Sequence, residues 1–406
     1  MKVKAFSLVL GWLLLSASVV SAQKITVSGK VIDSETKEPL PFASLGIIGK
    51  PIGVIANEQG EFDFHIPVDY RNDFLSVSML GYQPHEVPVW SVTTDQPVVI
   101  ELQAAAVLLK EVVISDSLKA GEIVRLALAK IEDNYPMKPF QLDGFYRDVK
   151  KMGGTYISLL EAAVKIYDEN YQAPRNKFKL RERVALKEVR RSLGYSSRFT
   201  SFFDKDNLLE DLLLNNNIRY RQFPDEDIFF KQLKREGIST YQGHTVFVIS
   251  LKKDYFLRIY IDRETYGIVR LEYENDHQEK LEKMRGLESR FVKIKRTIDF
   301  KLFEGKLYLN YLSVTSQVNW YEHKTGKLKF ETELFRQLLV NHVYPNPPER
   351  IGLWQKMRNY GLQYQDQPYN KEFWDHYNVI KESPLDKKII EDLGKEIPLE
   401  KQFKDN

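Results

Sequence analysis

Apolar and polar residues alternate along much of the chain after residue 23. In EFDFHI the apolar residues are Phe62, Phe64 and Ile66, which recur at every second position. In FVKIKRTIDFKLF, residues 291–303, the even-numbered positions from 292 to 302 are apolar except for Arg296. Successive side chains of a strand point to opposite faces, so this spacing predicts strands with one buried and one solvated face.

Turn signals divide these runs into two groups of strands. Between residues 25 and 102 the runs are short and are separated by polar turns such as NEQG, which predicts a small β-sandwich. From residue 241 onward the runs are longer, and the glycines at 267, 305 and 326 fall where hairpins favour them. The second group predicts a large, curved antiparallel sheet.

Helical spacing appears in three places. Residues 115–136 predict one helix, capped by Ser115 or Ser117, around which we expect the sheet to wrap. Its apolar stripe consists of Ile123, Ala127 and Ile131. Residues 204–217 predict a second capped helix. In the third, residues 384–393, Ser383 is the expected N-cap.

Two segments are ambiguous. Residues 156–168 fit a helix or a strand, and their Tyr and Ile content favours a strand. The charged residues 275–286 are expected to form a long loop or a short helix.

These patterns together predict a mainly β fold. An N-terminal β-sandwich precedes a large curved antiparallel sheet packed on a helix, and a helical tail follows. The Pro-rich YPNPPER marks the break before the tail. The predicted units are a signal peptide at 1–22, the sandwich at 23–105, a linker strand at 106–115, the helix and sheet at 116–345, and the tail at 346–406.

The first 22 residues have the features of a secretory signal peptide. Lys2 and Lys4 precede a short apolar run, and small residues lead to a cleavage site after Ala22. The run is shorter than the roughly 20 residues of a spanning helix, and no later stretch is long enough to span a membrane. The chain has no Cys, which excludes a lipid-modified cysteine. We therefore expect an exported protein, periplasmic, outer-membrane associated or at the cell surface, that is not a lipoprotein.

The N-terminal motifs resemble those of a known module. They are, in order, Gly29-x-Val31-x-Asp33, Pro39-Leu40-Pro41-Phe42-Ala43-Ser44, Gly53, Asn57-x-x-Gly60-x-Phe62 and Val77-Ser78-x-x-Gly81-Tyr82. On these motifs the chain resembles a carboxypeptidase regulatory-like, transthyretin-like domain, which is common near the N-terminus of Bacteroidota envelope proteins. Val54 departs from the usual Thr. The resemblance implies an accessory β-sandwich without peptidase chemistry of its own.

Two other regions also resemble known families. RIYIDRETYGIVRLEY, residues 258–273, is similar to a hairpin of the half-barrel lipoprotein carriers of the periplasm, which hold acyl chains on their concave side. In the tail, FWDHYN, PLDKKIIEDL and PLEKQF resemble the end of the same Bacteroidota envelope family. These likenesses imply an envelope location and an architecture, and they imply no chemistry.

The net charge and the absence of catalytic motifs argue against two classes of function, nucleic-acid binding and catalysis. The formal charge of +3 falls to about +1 when Lys2 and Lys4 leave with the signal peptide, which argues against nucleic-acid binding. None of the seven histidines has another at i+3 or i+4, and the chain contains no H-E-x-x-H, no G-x-S-x-G and no Walker lysine. We expect no enzyme activity, no cofactor and no metal.

Two sets of residues are candidates for binding. Arg296 interrupts the apolar stripe, and it either meets an anionic headgroup or reaches water or a carboxylate. With Arg296, Tyr308 and Trp320 form the candidate ligand set, although aromatic residues in this pattern are more typical of a core. The candidate docking set is Phe373, Trp374 and Tyr377, which pack either on a partner or on the chain's own sheet.

Three hypotheses for function follow. A binding or accessory protein of the cell envelope, with a lipid, a glycan or a partner protein as ligand, predicts a concave apolar cup. A scaffold of an outer-membrane assembly predicts a filled sheet and an exposed aromatic patch. A hydrolase with a non-local site predicts titratable groups that converge in a cleft. The absence of catalytic motifs places the hydrolase last.

Overall fold

The fold was analysed in a computed structural model. It describes residues 24–93, 96–105, 118–192, 202–203, 207–276, 279–284, 286–357, 361–365, 367–381, 384–395 and 398–404. The predicted signal peptide at 1–22 and linker strand at 106–115 lie outside these ranges. Among the described residues, no helix has the length and apolar character needed to cross a membrane.

Strands dominate the described chain, which confirms the prediction of a mainly β fold. The strands are β1 Lys24–Asp33, β2 Ser44–Ile47, β3 Gly53–Ile55, β4 Glu61–Pro67, β5 Phe74–Ser78, β6 His85–Pro88, β7 Val98–Leu102, β8 Phe140–Met152, β9 Thr155–Asp168, β10 Arg183–Arg191, β11 Lys234–Tyr241, β12 His244–Lys252, β13 Phe256–Asp262, β14 Ile268–Asn275, β15 Glu279–Met284, β16 Leu287–Phe303, β17 Lys306–Glu322 and β18 Leu328–Pro345. The helices are α1 Val89–Val92, α2 Ala120–Ala129, α3 Ile131–Asn134, α4 Leu208–Leu214, α5 Asn217–Tyr220, α6 Asp227–Gln232, α7 Lys371–Asp375, α8 Pro384–Leu393 and α9 Leu399–Lys404.

The first seven strands form a sandwich of two sheets, with orders β4-β1-β7 and β3-β2-β5-β6. Phe62, Phe64 and Ile66 are fully buried between them, as their alternation predicts. The sequence pattern predicts a core position for Phe42 as well, and this is wrong, because Phe42 adopts a left-handed φ of 59° and remains 36% exposed. Its ring stacks on Tyr311 of β17, with centroids 5.9 Å apart. Phe42 therefore contributes to the contact between the sandwich and the large sheet.

The Asn57-x-x-Gly60 motif builds the turn that leads into β4. Asn57 Oδ1 accepts hydrogen bonds from the backbone N–H groups of Gln59 and Glu61, both at 2.9 Å. Gly60 has a φ of +72°, and a Cβ there would lie 2.3 Å from the carbonyl oxygen of Val31. Both the turn geometry and the close approach of β1 therefore require glycine.

The other eleven strands form one antiparallel sheet. Its order is β10-β9-β8-β18-β17-β16-β14-β13-β12-β11, and β15 pairs with β16. Residues 156–168 are strand, as favoured from the sequence. The prediction of a loop or short helix at residues 275–286 was wrong, because 279–284 pairs with β16 as β15.

Helices cover one side of this sheet, which we call the inner face. It has one continuous apolar core with α2 to α6. Its fully buried members include Ile123 and Val124 of α2, Leu212 of α4, Ile218 of α5, and Ile298, Phe300, Leu312, Val314 and Leu338 of the sheet. The predicted single helix is interrupted at Lys130 into α2 and α3. Its cap is formed at Lys119, whose N–H donates to Glu122 Oε2 at 2.6 Å, and Ser115 and Ser117 lie outside the described residues.

The opposite side, which we call the outer face, carries the sandwich and part of the tail. Tyr311, Leu339, Phe145 and Ala163 are register partners on four adjacent strands. These four side chains are buried in one core with residues of the sandwich and with Trp374, Tyr377 and Ile380 of the tail. The unit boundaries proposed from sequence stay predictions.

The tail also contacts the edge of the sandwich at β4. Asn378 Oδ1 accepts from His65 N–H at 2.8 Å, and Asn378 Nδ2 donates to the His65 carbonyl at 3.1 Å. Lys381 pairs with Asp63 of the same strand at 2.9 Å. The tail thus holds the sandwich and the large sheet together.

Candidate functional site

Arg296 lies in a row of side chains that crosses the inner face. Register pairs connect Tyr273, Arg296, Val314, Arg336 and Asp148 on five adjacent strands of the sheet. Helices α4 and α5 cover this row. The charges of the row are therefore enclosed between the sheet and the helices.

Protein groups hold Arg296 in this position. Its Nη1 donates to Asn217 Oδ1 at 2.5 Å, and its guanidinium lies 5.4 Å from the centre of the Tyr273 ring. Burial lowers the pKa of Arg296 to about 10, and only part of that effect is offset by the nearby Tyr273 and Asp211. The Nε of Arg296 has no hydrogen-bond partner within the described part of the chain. Arg296 is thus anchored to α5 through Asn217.

The other charges of this region form their own pairs. Arg336 pairs with Asp211 of α4. Asp148 accepts from Lys150 Nζ at 2.9 Å and from the Tyr146 hydroxyl at 3.3 Å. The Arg336–Asp211 pair binds α4 to the sheet, and Arg296 has no carboxylate at hydrogen-bond distance among the described residues.

The ligand set predicted from the sequence does not converge. Val314, opposite Arg296, is six positions from both Tyr308 and Trp320 along β17, or about 20 Å in each direction. Tyr308 is 4% exposed and packs edge-on against Phe140 at 5.5 Å. Trp320 donates its Nε1–H to Thr332 Oγ1 at 3.0 Å and stacks on Phe330. A ligand role for the three residues stays a prediction, and one small ligand does not span them.

The docking set predicted from the sequence lies on the chain's own outer face. Trp374 packs against Phe145, and the Arg190 guanidinium lies 4.4 Å from its ring. Phe373 stacks on Tyr377 at 4.8 Å, and the Tyr377 hydroxyl donates to the Gly144 carbonyl at 3.0 Å. A partner would reach Trp374 and Tyr377 only after release of the tail, so partner docking through this set stays a prediction.

A cleft lies beside α4, between the start of β10 and the segment after β18. Its volume is about 440 Å³. Leu180, Val184, Leu209, Leu214 and Met357 supply its apolar lining, and Lys179, Asn207, Glu210, Asp211 and Lys356 supply its polar lining. Asn207 Oδ1 caps α4 by accepting from Glu210 N–H at 3.2 Å, which confirms the predicted capped helix. This cleft is an accessible concavity on the helix side, whereas apolar side chains fill the centre of the inner face.

A buried ionic cluster, which local sequence patterns did not indicate, joins α5 to β9. Arg219 is fully buried and donates to Asp168 through Nε at 2.5 Å and Nη2 at 3.0 Å. The Tyr220 hydroxyl donates to Glu182 in the same cluster. Burial and the nearby Asp168 raise the pKa of Glu182 to about 7, against the opposing effect of Arg219. The pairing residues are 51 positions apart, so only the tertiary structure brings them together.

Glu182→Gln is expected to change how stability depends on pH. Because the folded-state pKa of Glu182 is raised from 4.5 to about 7, the folded chain binds the extra proton in this window, and stability falls as pH rises through it. In Glu182→Gln this contribution to the fall in stability with pH should be absent. At pH 8 the variant should therefore be more stable than the unmodified chain by about 1–3 kcal/mol. Urea unfolding at pH 4.5 to 8 measures this, with exposed Glu264→Gln as the control. Equal slopes for Glu182→Gln and the unmodified chain would contradict the raised pKa.

A second group of buried polar side chains lies near the sandwich. Register pairing sets His342 opposite Asp143, and the backbone of His342 bridges to Ile52. Asp143 accepts from Lys187 Nζ at 3.0 Å. Nearby, Lys301 has an enclosed Nζ with no hydrogen-bond partner among the described residues, although part of its stem is exposed. Burial lowers the pKa of Lys301 to about 8.

Lys301→Met is expected to stabilise the protein at pH 7 by about 1–3 kcal/mol, because it removes an enclosed, unpaired ammonium. The folded-state pKa of Lys301 is lowered from 10.5, so between about pH 8 and 10.5 the unfolded chain binds more protons and stability rises with pH. The gain should therefore be largest below pH 8 and shrink toward pH 10. Thermal unfolding across this range tests it, with exposed Lys327→Met as the control. A destabilised Lys301→Met chain would show that the ammonium has a stabilising partner.

The described residues offer little for metal chemistry. No group of three or more His, Asp or Glu side chains is placed to hold a metal ion within them. The perturbed groups Glu182 and Lys301 belong to separate clusters.

Comparison with known proteins identifies the N-terminal module. Residues 27–114 match the family model of the CarboxypepD_reg-like domain, which confirms the resemblance for this part of the chain. The match extends beyond residue 105, into the predicted linker strand. A search of the curated proteins finds no match in sequence.

Solved structures give only distant likenesses. A putative membrane-associated protein of unknown function from Bacteroides fragilis NCTC 9343 is 12% identical, with 79% of this chain and 99% of that chain covered and a TM-score of 0.16. The MucA/MucB complex of Pseudomonas aeruginosa is 9% identical, with 56% of this chain and 99% of that chain covered and a TM-score of 0.17. Lipovitellin is 8% identical, with 55% of this chain and 27% of that chain covered and a TM-score of 0.25. This chain therefore spans about a quarter of the length of lipovitellin. At these TM-scores none of the three supports an argument about fold or function.

Proposed function

We propose that this chain is a non-enzymatic binding or accessory protein of a bacterial cell envelope. It acts through its surface and does not enclose a ligand within the large sheet. The observation that carries this proposal is the continuous apolar core between the inner face and helices α2 to α6, which occupies the place where a lipid carrier would hold an acyl chain. The CarboxypepD_reg-like domain, an accessory module, is consistent with this role.

The proposed envelope location rests on the predicted signal peptide and on the resemblance to Bacteroidota envelope proteins. Export to the periplasm, the outer membrane or the cell surface places the chain among lipids, glycans and membrane proteins. N-terminal sequencing of protein purified from its own cells should begin at Gln23. A chain that retains Met1 in the cytoplasmic fraction would overturn the location.

Native mass spectrometry of residues 23–406, purified gently from the envelope, tests the mode of binding. We expect the mass of the chain alone, together with cross-linked partners captured from intact cells. A discrete extra mass that disappears on organic extraction would contradict the surface mode and favour the carrier alternative. A hydrolase alternative would instead require turnover of envelope esters or glycans, measured with the same preparation.

A further inference from the structure

Two loops meet at the edge of the large sheet beside the cleft. Residues 174–183 comprise the loop before β10 and the first residue of that strand, and residues 350–357 follow β18. Arg183 Nη1 donates to the Ile351 carbonyl at 2.8 Å, and Met357 N–H donates to the Val184 carbonyl at 2.7 Å. Lys179 of the first loop and Lys356 of the second line the same cleft. The two loops therefore form one surface, which we call the loop surface.

The loop surface carries the three most exposed large apolar side chains of the described residues. Trp354 is 86% exposed, Phe178 is 82% exposed and Leu353 is 79% exposed. Local hydrogen bonds shape both loops: Phe178 N–H donates to Asn176 Oδ1 at 2.9 Å, and Gly352 N–H donates to Gln355 Oε1 at 3.0 Å. A single exposed apolar residue is ordinary on a protein surface, whereas a cluster of large ones marks an interaction site.

The charge around these side chains is strongly positive. The two loops contain seven basic residues and one acidic residue. The acidic residue is Glu182, which is buried and bonded to Tyr220. Arg175, Lys179 and Lys356 are exposed, and no carboxylate within the described ranges forms an ion pair with them. The exposed charge of the two loops is therefore mainly cationic. The nearby acidic contributions are Glu210 in the same cleft and Glu169, which pairs with Arg350.

We propose that the loop surface binds anionic phospholipid bilayers, with Trp354, Leu353 and Phe178 entering the headgroup region and the lysines and Arg175 contacting the phosphates. Trp and other large apolar side chains bordered by Lys and Arg are characteristic of residues at a membrane interface. Lysine is depleted in protein–protein interfaces, which favours a lipid surface over a protein partner. This inference rests on the proposed function, because it names the ligand class of a surface-acting envelope protein.

Tryptophan fluorescence measures directly whether the loop surface enters a bilayer. In the chain from Gln23 onward, Trp320 and Trp374 are buried, so Trp90 and Trp354 are the exposed indoles. In a Trp90→Phe variant the response to lipid therefore reports Trp354. Vesicles of equal parts phosphatidylglycerol and phosphatidylethanolamine should shift its emission to the blue, and brominated acyl chains should quench it. Vesicles of phosphatidylcholine alone should do neither.

Vesicle flotation measures the contribution of each feature. Leu353→Ala/Trp354→Ala should weaken binding roughly tenfold or more, since burial of these side chains is lost. Trp90→Ala, which removes an indole exposed on the sandwich, should not change binding. Lys179→Glu/Lys356→Glu should weaken binding and reduce its salt dependence, whereas Lys324→Glu, in a distant hairpin turn, should do neither. Thermal unfolding verifies that each variant is folded.

Two results would overturn the proposal. One is an absence of binding to the anionic vesicles. The other is binding that the loop variants and the Trp90→Ala control share equally. If the vesicles are not bound but Leu353→Ala/Trp354→Ala abolishes a cross-link to a protein in intact cells, the loop surface is a protein-docking site. The lipid inference then fails while the surface-acting envelope function stands, whereas a bound cargo mass would overturn the proposed function itself.

Discussion

Replacing Arg219 with methionine is expected to lower the free energy of unfolding by about 3–5 kcal/mol, because it breaks a buried ion pair by removing one partner. Arg219 is fully buried and forms two hydrogen bonds with Asp168. Its loss leaves Asp168 beside Glu182 in the core without the compensating cation. Urea unfolding at pH 7 measures the effect.

Arg125→Met is the matched control for Arg219→Met. Arg125 also pairs with an aspartate, Asp227, but the side chains are 47% and 76% exposed. An exposed pair of this kind contributes up to about 1 kcal/mol. Replacing Arg219 and Asp168 together by apolar residues should cost less than Arg219→Met alone. Equal losses for Arg219→Met and Arg125→Met would show that the buried pair does not stabilise the fold.

Phe145→Ala is expected to cost about 3–5 kcal/mol, the usual range for deleting a buried aromatic side chain. Phe145 is fully buried at the centre of the outer face, where its ring packs edge-on against Trp374. The cavity would lie where the sheet, the sandwich and the tail meet, so the tail should also become more accessible. Urea unfolding gives the first quantity, and limited proteolysis with fragment masses gives the second.

Leu302→Ala serves as the control for Phe145→Ala, because Leu302 belongs to the same sheet but is 46% exposed. It should cost less than about 1 kcal/mol and leave the rate of tail cleavage unchanged. If Phe145→Ala loses stability while the tail remains protected, the tail is held mainly by its polar contacts with β4.

Local sequence patterns accounted for most of the fold. The alternation at Phe62, Phe64 and Ile66 correctly predicted that these side chains lie in the core of the sandwich. The Asn57-x-x-Gly60 motif correctly predicted the turn before β4. The alternation along β16 predicted the strand but misplaced Leu302, which lies beside the turn of the β16–β17 hairpin and is 46% exposed. Alternation predicts the face on which a residue lies, but it does not predict whether another element covers that face near the end of a strand.

Other features depend on contacts between distant residues. β15 consists largely of charged residues with weak strand preference, yet it pairs with β16, where Lys280 lies 3.5 Å from Glu288. Tertiary pairing overrode local preference there. The anchoring of Arg296 by Asn217 joins residues 79 positions apart. The sequence identified Arg296 as unusual, but only the arrangement of α5 over the sheet shows what it contacts.

The amide of Asn378 has a consequence for solubility. In the described part of the sandwich, β4 is an edge strand, and a free edge offers unpaired backbone groups to other chains. Asn378 occupies both backbone groups of His65 as a neighbouring strand would, and Lys381 places a charge beside them. The tail therefore covers this part of the edge and blocks the addition of another strand. A chain that is cut before Tyr377 should aggregate through β4 even if its sandwich still folds.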